Sequence, residues 1–462
     1  MSGCPGGSPG PVRVDGMTSS STSLTAWQDR ANHAARSVTS LFGHKLLFLP
    51  ATHLGAVLWQ GRHPGRPVQQ EQQDQAAHPG SRWFALLRRA RPAAALALPW
   101  HYWWQAHYVD CLVDTGRREL GGGATPAARF DGPDRPSAGH LASRLVTGIR
   151  LRNALTFVNS YYDDMAWLAL ATLRLDRLAE ETRRPGRRRN AKARASLALQ
   201  FDAACTDDMG GGTFWSKKRD FKNTPATAPV ALFYARTGQH AKARALLDWL
   251  DATLFDPGQG LYLDGVRLNP AGDMMVERAV YTYNQGPVLG ALLELGGEAN
   301  LARAAVVVDA VQRLLTVPAG GHGTAHAGAA QRGAQASDAG GGSSAGQRSV
   351  LRCEGTGDGG LFTGILCRYL ALAAADTRLP HATRATAARL VTDTAEAFWS
   401  GRRPVGPSEA RARMEGRSIF SMHDAQPAAA TYPPGAAVEL ATQLQAWMVL
   451  EAAAAVNAAG LP

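Results

Sequence analysis

Apolar residues at helical spacing recur about a dozen times along this chain, and clear strand alternation is missing. The predicted helices are Thr25–Phe42, Trp100–Arg118, Ala142–Phe157, Met165–Glu181, Ala191–Ala204, Ala226–Thr237, His240–Leu254, Tyr283–Leu295, Ala299–Thr316, Gly360–Ala375, Pro380–Trp399 and Ala436–Ala458. In the fourth, Leu168, Ala171, Leu175 and Leu178 fall on one face. Ala, Leu and Arg recur throughout and β-branched residues are sparse, which lowers the entropic cost of helix. Loops with Gly, Pro and aromatic residues join these helices in pairs, but no fixed sequence period marks a consensus solenoid. An all-α (α/α)6 barrel of six helical hairpins accommodates the count, and so would an open helical array.

Of 462 residues, 45% are hydrophobic, enough for a large core in one unit. Residues 1–22 are expected to be disordered, and residues 23–462 to form a single domain. Two stretches without periodicity, near 61–80 and 318–349, read as surface insertions because their composition buries little apolar surface. The formal charge of +11 could suit a polyanion, yet the arginines are scattered and no nucleic-acid-binding motif is present, so no nucleic-acid partner is expected. Five cysteines, an odd number without a Cys-x-x-Cys pair, argue against a disulfide framework or a zinc site. Histidine spacing offers no metal motif, and no glycine loop continues into Gly-Lys-Ser/Thr, so neither metal nor another cofactor is expected. The apolar segment from Leu46 to Trp59 contains Pro50 and His53 and is too short to span a bilayer. With no secretory signal visible at the start, a cytoplasmic location is expected. Oligomeric state is left open by the sequence.

The most informative run is Asn159-Ser160-Tyr161-Tyr162-Asp163-Asp164-Met165-Ala166-Trp167. Glycosidic cleavage commonly uses two carboxyl groups, one to protonate the leaving oxygen and one to attack or to activate water. Adjacent Cα atoms lie about 3.8 Å apart, so two aspartate side chains can reach the roughly 5–5.5 Å separation of retaining enzymes. A helix start near Ser160 would put Asp163 in the first turn, where the macrodipole favours its anion and that charge raises its neighbour. A purely structural reading competes, since Ser-x-x-Asp also resembles a capping box.

Other clusters enter predicted helices in the same way. Trp100-His101-Tyr102-Trp103-Trp104-Gln105-Ala106-His107 is unusually polar and aromatic for a core helix. Gly210-Gly211-Gly212-Thr213-Phe214-Trp215 leads into Lys222-Asn223, and Tyr281-Thr282-Tyr283-Asn284-Gln285-Gly286 and Glu354-Gly355-Thr356-Gly357-Asp358-Gly359-Gly360 follow the same plan. Each alone suits ordinary loop chemistry; four together suggest one rim of a barrel.

The run Tyr161-Tyr162-Asp163-Asp164-Met165-Ala166-Trp167 resembles the signature of glycoside hydrolase family 76, the endo-α-1,6-mannanases. Trp104-Gln105-x-His107, the glycine-rich loop to Trp215 with Lys222-Asn223, Tyr283-Asn284-Gln285-Gly286, and Asp358-Gly359-Gly360 through Arg368-Tyr369 agree in order, from roughly residue 25 to 460. The resemblance implies an (α/α)6 barrel that hydrolyses α-1,6-mannan or mannooligosaccharides with retention. It implies Asp163 as nucleophile and Asp164 as acid and then base. It also implies a sugar cleft lined by Trp104, Gln105, His107, Tyr162, Trp215, Lys222, Asn223, Tyr283, Asn284, Gln285 and Asp358, with no metal. Two alternatives stand beside this reading: a transglycosylase or other (α/α)6 sugar enzyme, and a catalytically silent mannan-binding protein. Endo against exo action is not readable from the sequence.

Overall fold

The computed structural model describes residues 18–61, 100–183, 188–319, 348–409 and 414–460. Among the described residues, twelve long helices match the twelve predicted. They are α1 (Thr18–Phe42), α2 (Tyr102–Gly121), α3 (Ala138–Arg152), α4 (Tyr162–Glu181), α5 (Arg188–Ala204) and α6 (Thr224–Arg236), then α7 (His240–Thr253), α8 (Thr282–Leu295), α9 (Glu298–Leu314), α10 (Phe362–Ala375), α11 (His381–Ser400) and α12 (Leu440–Ala458). Helix α1 starts at Thr18, inside the stretch expected to be disordered. The rest of that stretch, and nearly all of the 61–80 and 318–349 insertions, lie outside the described residues.

The even-numbered helices form an inner ring. Each packs on the next, from α2 through α4, α6, α8 and α10 to α12, and α12 packs back on α2. Each odd-numbered helix covers an inner one: α1 on α12, α3 on α2, α5 on α4, α7 on α6, α9 on α8 and α11 on α10. This closed ring of six hairpins is the (α/α)6 barrel and rules out the open array. Burial explains the division. Every residue of α6 from Thr224 to Ala235 is buried, whereas α7 buries only Ala243, Leu246, Leu247, Trp249 and Leu250. A helix apolar all round has to sit inside, and one with a single apolar stripe can face solvent.

Short sheets, which the sequence did not announce, decorate the loops. One joins β1 (Phe221–Asn223), β2 (Gly265–Leu268) and β3 (Met274–Glu277), all antiparallel. Another pairs Thr316–Pro318 with Ser349–Leu351, so the second insertion stands on two strands.

Buried amides tie these loops to the inner ring. The fourth residue of α2, Gln105, accepts from the Gly55 N–H at 2.8 Å and donates to the Gly55 carbonyl at 3.0 Å. Gln285, fourth in α8, makes the same pair with Tyr262 at 2.9 and 2.9 Å. Gln443, fourth in α12, does so with Phe420 at 2.8 and 2.8 Å. In α6 the equivalent Thr227 accepts from the Thr213 N–H at 3.0 Å. Each amide mimics a strand neighbour for one loop residue whose backbone would otherwise be buried without partners.

Deeper along the ring axis lies an ionic cluster. Asp110 and Asp114 of α2 meet Arg174 of α4, with Nη1 2.5 Å from Asp110. Arg368 of α10 reaches across the ring to Asp110 at 3.4 Å and Asp114 at 3.2 Å.

Candidate active site

Each outer helix returns the chain, so all inner helices run the same way and their N-terminal ends share one face of the barrel. A cleft of about 990 Å³ opens there. Its walls come from residues at or just before five inner-helix starts: Trp103 at α2, Asp163 and Asp164 at α4, Asn223 at α6, Tyr283 at α8 and Asp358 before α10. The positive ends of those helix dipoles point toward the same space, which suits groups that carry or develop negative charge.

Helix α4 is capped by Tyr161 without any side-chain cap bond, so the capping-box reading of Ser160 and Asp163 does not hold. That leaves both acids of its first turn for the cleft. The Oδ2 of Asp163 accepts the Trp215 indole N–H at 3.0 Å, and its Oδ1 is buried without a partner. The Oδ2 of Asp164 accepts the Asn159 amide at 2.6 Å, and Asn159 is itself oriented by the Tyr161 N–H at 2.9 Å. Burial pushes the Asp163 carboxyl up to about 7, while the Asp164 N–H, the Trp215 indole and its own N–H pull it back. Burial raises Asp164 well above the carboxylate range, and the Asp163 charge raises it further, against a single opposing bond from Asn159. Two neighbouring acids therefore differ in their hold on a proton, with Asp163 the easier to ionise.

Trp215 is placed by backbone pairing. Its carbonyl accepts the Tyr162 N–H at 2.8 Å, and its own N–H donates to Phe221 at 2.8 Å. The loop before it turns tightly at Gly212 (φ +75°), where a Cβ would lie 2.5 Å from the Trp249 ring. Lys222 fastens the base of this loop. Its Nζ donates to the Thr206, Asp208 and Gly211 carbonyls, each at 2.7 Å, and lies 4.6 Å from the Phe214 ring centre.

Of the expected site residues, Asp163, Asp164, Trp215, Asn223, Tyr283 and Asp358 line the cleft. Seven are not among its lining residues and stand in supporting positions. Gln105 and Gln285 are spent on loop backbones, as described above. Lys222 points away from the cleft into its carbonyl cage. Trp104 is buried, stacks on His101 at 4.3 Å and donates to Asp358 at 3.1 Å. His107 is buried between Trp103 and Trp167, with neither ring nitrogen bonded, and burial holds its pKa well below the ordinary value. Tyr162 is buried in the α4 wall. Asn284 stands behind Asp264, donating to it at 3.2 Å.

Several lining residues fall outside the expected set: Trp100, Trp103, Trp167, Tyr281, Asp264 and Glu354. Trp103 shares Asp358 with Trp104, at 2.9 Å, and belongs to the tryptophan-rich run already singled out. Glu354 heads the glycine-rich run before α10 and accepts the Thr282 N–H at 2.8 Å. Asp264 carries no motif, because it reaches the cleft only through the pairing of β1 with β2. Burial pushes its carboxyl up to about 6, opposed by the Asn284 amide.

Among the described residues no group of acids, histidines and cysteines could hold a metal ion, and no helix is long and apolar enough to cross a membrane. Residues 139–304 match the model of glycosyl hydrolase family 76. No curated protein matches. The fold is similar to that of an α-1,6-mannanase from Salegentibacter sp. HEL1_6. That match has 22% identity and a TM-score of 0.63 and covers 93% of this chain and 99% of that one. The structure is that of an inactive variant, with two consecutive aspartates changed to asparagine, in complex with α-1,6-mannotriose. A family 76 mannosidase from Bacteroides thetaiotaomicron VPI-5482 is similar at 15% identity and TM-score 0.59, covering 93% of this chain and 98% of that one. A Listeria innocua protein is similar at 20% identity and TM-score 0.59, with 93% and 97% covered.

Proposed function

We propose that the chain is a glycoside hydrolase of family 76 that acts on α-mannan, cutting α-1,6-mannosidic bonds with retention of configuration. The Asp163 carboxylate attacks the anomeric carbon while the Asp164 carboxyl protonates the departing O6 oxygen. This breaks the glycosidic bond and leaves a mannosyl ester on Asp163. Asp164, now a carboxylate, takes a proton from water. The water oxygen attacks the same carbon, Asp163 departs, and the hemiacetal leaves with its original configuration.

The observation that carries this reading is the unequal environment of two adjacent acids in one cleft. Asp163 is held by an indole, and two nearby backbone N–H groups also favour its anion; Asp164 has only the Asn159 amide and faces the Asp163 charge. One acid ionised and one protonated is what an attacking group and a proton donor require. Adjacency also suits the short carboxyl separation of retaining enzymes, about 5–5.5 Å. The α-1,6-mannotriose bound by the Salegentibacter enzyme, and the inactivity of its double aspartate variant, support the linkage and the pair.

The test is digestion of α-1,6-mannooligosaccharides followed by proton NMR of the first-formed product. The α anomer should appear before mutarotation, and product masses should show the addition of water rather than of a second sugar. A first-formed β anomer would overturn retention; no cleavage would overturn the linkage.

A further inference from the structure

We infer that the cleft selects its glycan by charge, admitting neutral sugars and rejecting those that carry anionic groups near the scissile bond, with Asp264 and Glu354 as specificity-determining residues. This deepens the proposed function and rests on it for the identity of the sugar.

The charge distribution of the cleft runs against that of the whole chain. The protein carries a formal +11, yet beside the protonated Asp164 the cleft is lined by Asp163, Asp220, Asp264, Glu354 and Asp358 against one guanidinium, that of Arg267. Arg267 is already engaged: it lies over the Phe221 ring at 4.6 Å and 3.8 Å from Glu277. Lys222, the nearest lysine in sequence to the lining residues Phe221 and Asn223, is turned into its carbonyl cage.

The donors that hold these acids are neutral. Asp163 accepts from an indole, Asp164 from an amide, Asp264 from an amide and Asp358 from two indoles. Glu354 has a cation behind it, Arg352 at 3.6 Å, which also donates to the Val280 carbonyl, and Arg267 acts on Asp264 without bonding it. Hydrogen bonds from neutral groups orient a carboxylate without cancelling its field. Low-dielectric walls then focus that field into the space where a sugar would lie.

A ligand is still indicated there, because the buried Asp163 Oδ1 has no partner in the protein. The remaining lining supplies uncharged contact: Trp103, Trp215 and Tyr283 offer ring faces and Asn223 an amide. Like charge brought against a desolvated wall is strongly disfavoured. An uncharged polyol meets no such penalty.

The experiment compares three α-1,6-mannotrioses: unmodified, 6-O-sulfated on the non-reducing residue, and 6-amino-6-deoxy at the same position. Sulfate keeps its charge across the working pH range, and the amine controls for bulk at that position. At neutral pH and low salt, kcat/KM for the sulfated sugar should fall at least about 50-fold below the unmodified one, while the amine should be cut at least as well as the unmodified sugar. The sulfate penalty should shrink on raising salt from about 20 mM to about 0.5 M. It should also fall to within about fivefold in the Asp264→Asn/Glu354→Gln variant, with folding checked by circular dichroism. Equal rates for sulfated and unmodified sugar overturn the inference, as does an equal loss for sulfate and amine, which would mean a steric wall. If no sugar is hydrolysed, the α-1,6 reading fails separately, and calorimetry of the same three ligands then decides the charge filter. Weaker binding of the sulfated sugar alone supports the filter, and equal binding of all three refutes it.

Discussion

The mouth of the barrel and its axis use the same residue type in opposite electrical states. On the axis, burial alone would push Asp110 up, but the guanidiniums of Arg174 and Arg368 reverse this and hold its carboxyl below the ordinary value. At the mouth, Asp163 and Asp164 are also in buried surroundings, but only indole, amide and backbone N–H groups meet them, and both are raised. A buried acid paired with arginine is fixed as an anion and can exchange nothing. One held by neutral donors keeps a proton within reach of neutral pH. The lesson is that proximity of acids says little about chemistry until their donors are known.

The sharpest way to break this comparison is to neutralise one acid in each region. Asp163→Asn and Asp164→Asn should each cut kcat/KM on α-1,6-mannooligosaccharides by at least about 10³-fold without loss of helical circular dichroism. A substrate with an activated leaving group should recover activity in Asp164→Asn more than in Asp163→Asn, because it no longer needs the proton. Full activity in both variants would remove the pair from the mechanism. Asp110→Asn should behave in the opposite manner and lose stability, by about 3–5 kcal/mol, because two guanidiniums remain buried beside a neutral amide. Denaturant unfolding measures it; a change below about 1 kcal/mol would show that the axis cluster is not a paired ionic core.

A smaller effect tests how the mouth sets its own proton affinities. In Trp215→Phe the Asp163 Oδ2 loses a donor that favours its anion. The Asp163 pKa should therefore rise, and the acidic limb of the pH–rate profile should move upward with it. At neutral pH kcat should fall by about 10-fold, the value of one charge-assisted hydrogen bond. A drop in affinity with an unmoved limb would make Trp215 a stacking platform only.

The helices were legible because the outer face of the barrel imposes a 3.6-residue stripe, and all twelve were found, although the first begins at Thr18 rather than Thr25 and the third spans Ala138–Arg152 rather than Ala142–Phe157. The Asp163–Asp164 pair stood out because adjacent acids flanked by aromatics at a predicted helix start resemble the family 76 signature, and the structure places both on the cleft. Gln105, Gln285 and Lys222 misled for a shared physical reason. A polar side chain beside a motif can satisfy buried backbone as readily as a ligand, and the partner lies 50 residues away for Gln105 and 23 for Gln285. Asp264 was invisible for the converse reason. No local pattern marks it, and only the register of β2 on β1 brings it to the cleft.

The smallest expected effect carries the comparison into stability. Asp163 has a folded pKa of about 7, against about 3.9 for an unfolded aspartate. The folded protein therefore binds this proton more tightly than the unfolded chain does, and stability should rise as pH falls from about 7 toward about 4. Above pH 7 the ionised carboxylate is a cost that Asp163→Asn removes, while the amide oxygen still accepts the Trp215 indole. The variant should be more stable than the parent at pH 8, by about 0.5–2 kcal/mol, and the gain should vanish below about pH 4, where the parent becomes protonated in both states. Asp110 has the reverse dependence. Its lowered pKa gives stability that is full above about 4 and is lost as pH falls through the folded value, so Asp110→Asn should cost most at neutral pH and progressively less in acid. Thermal unfolding of both variants from about pH 2 to about pH 8 should show the Asp163→Asn difference changing between about 4 and 7 and the Asp110→Asn difference changing, with the opposite sign, only below about 4. Parallel curves would mean that the mouth and the axis hold their acids alike.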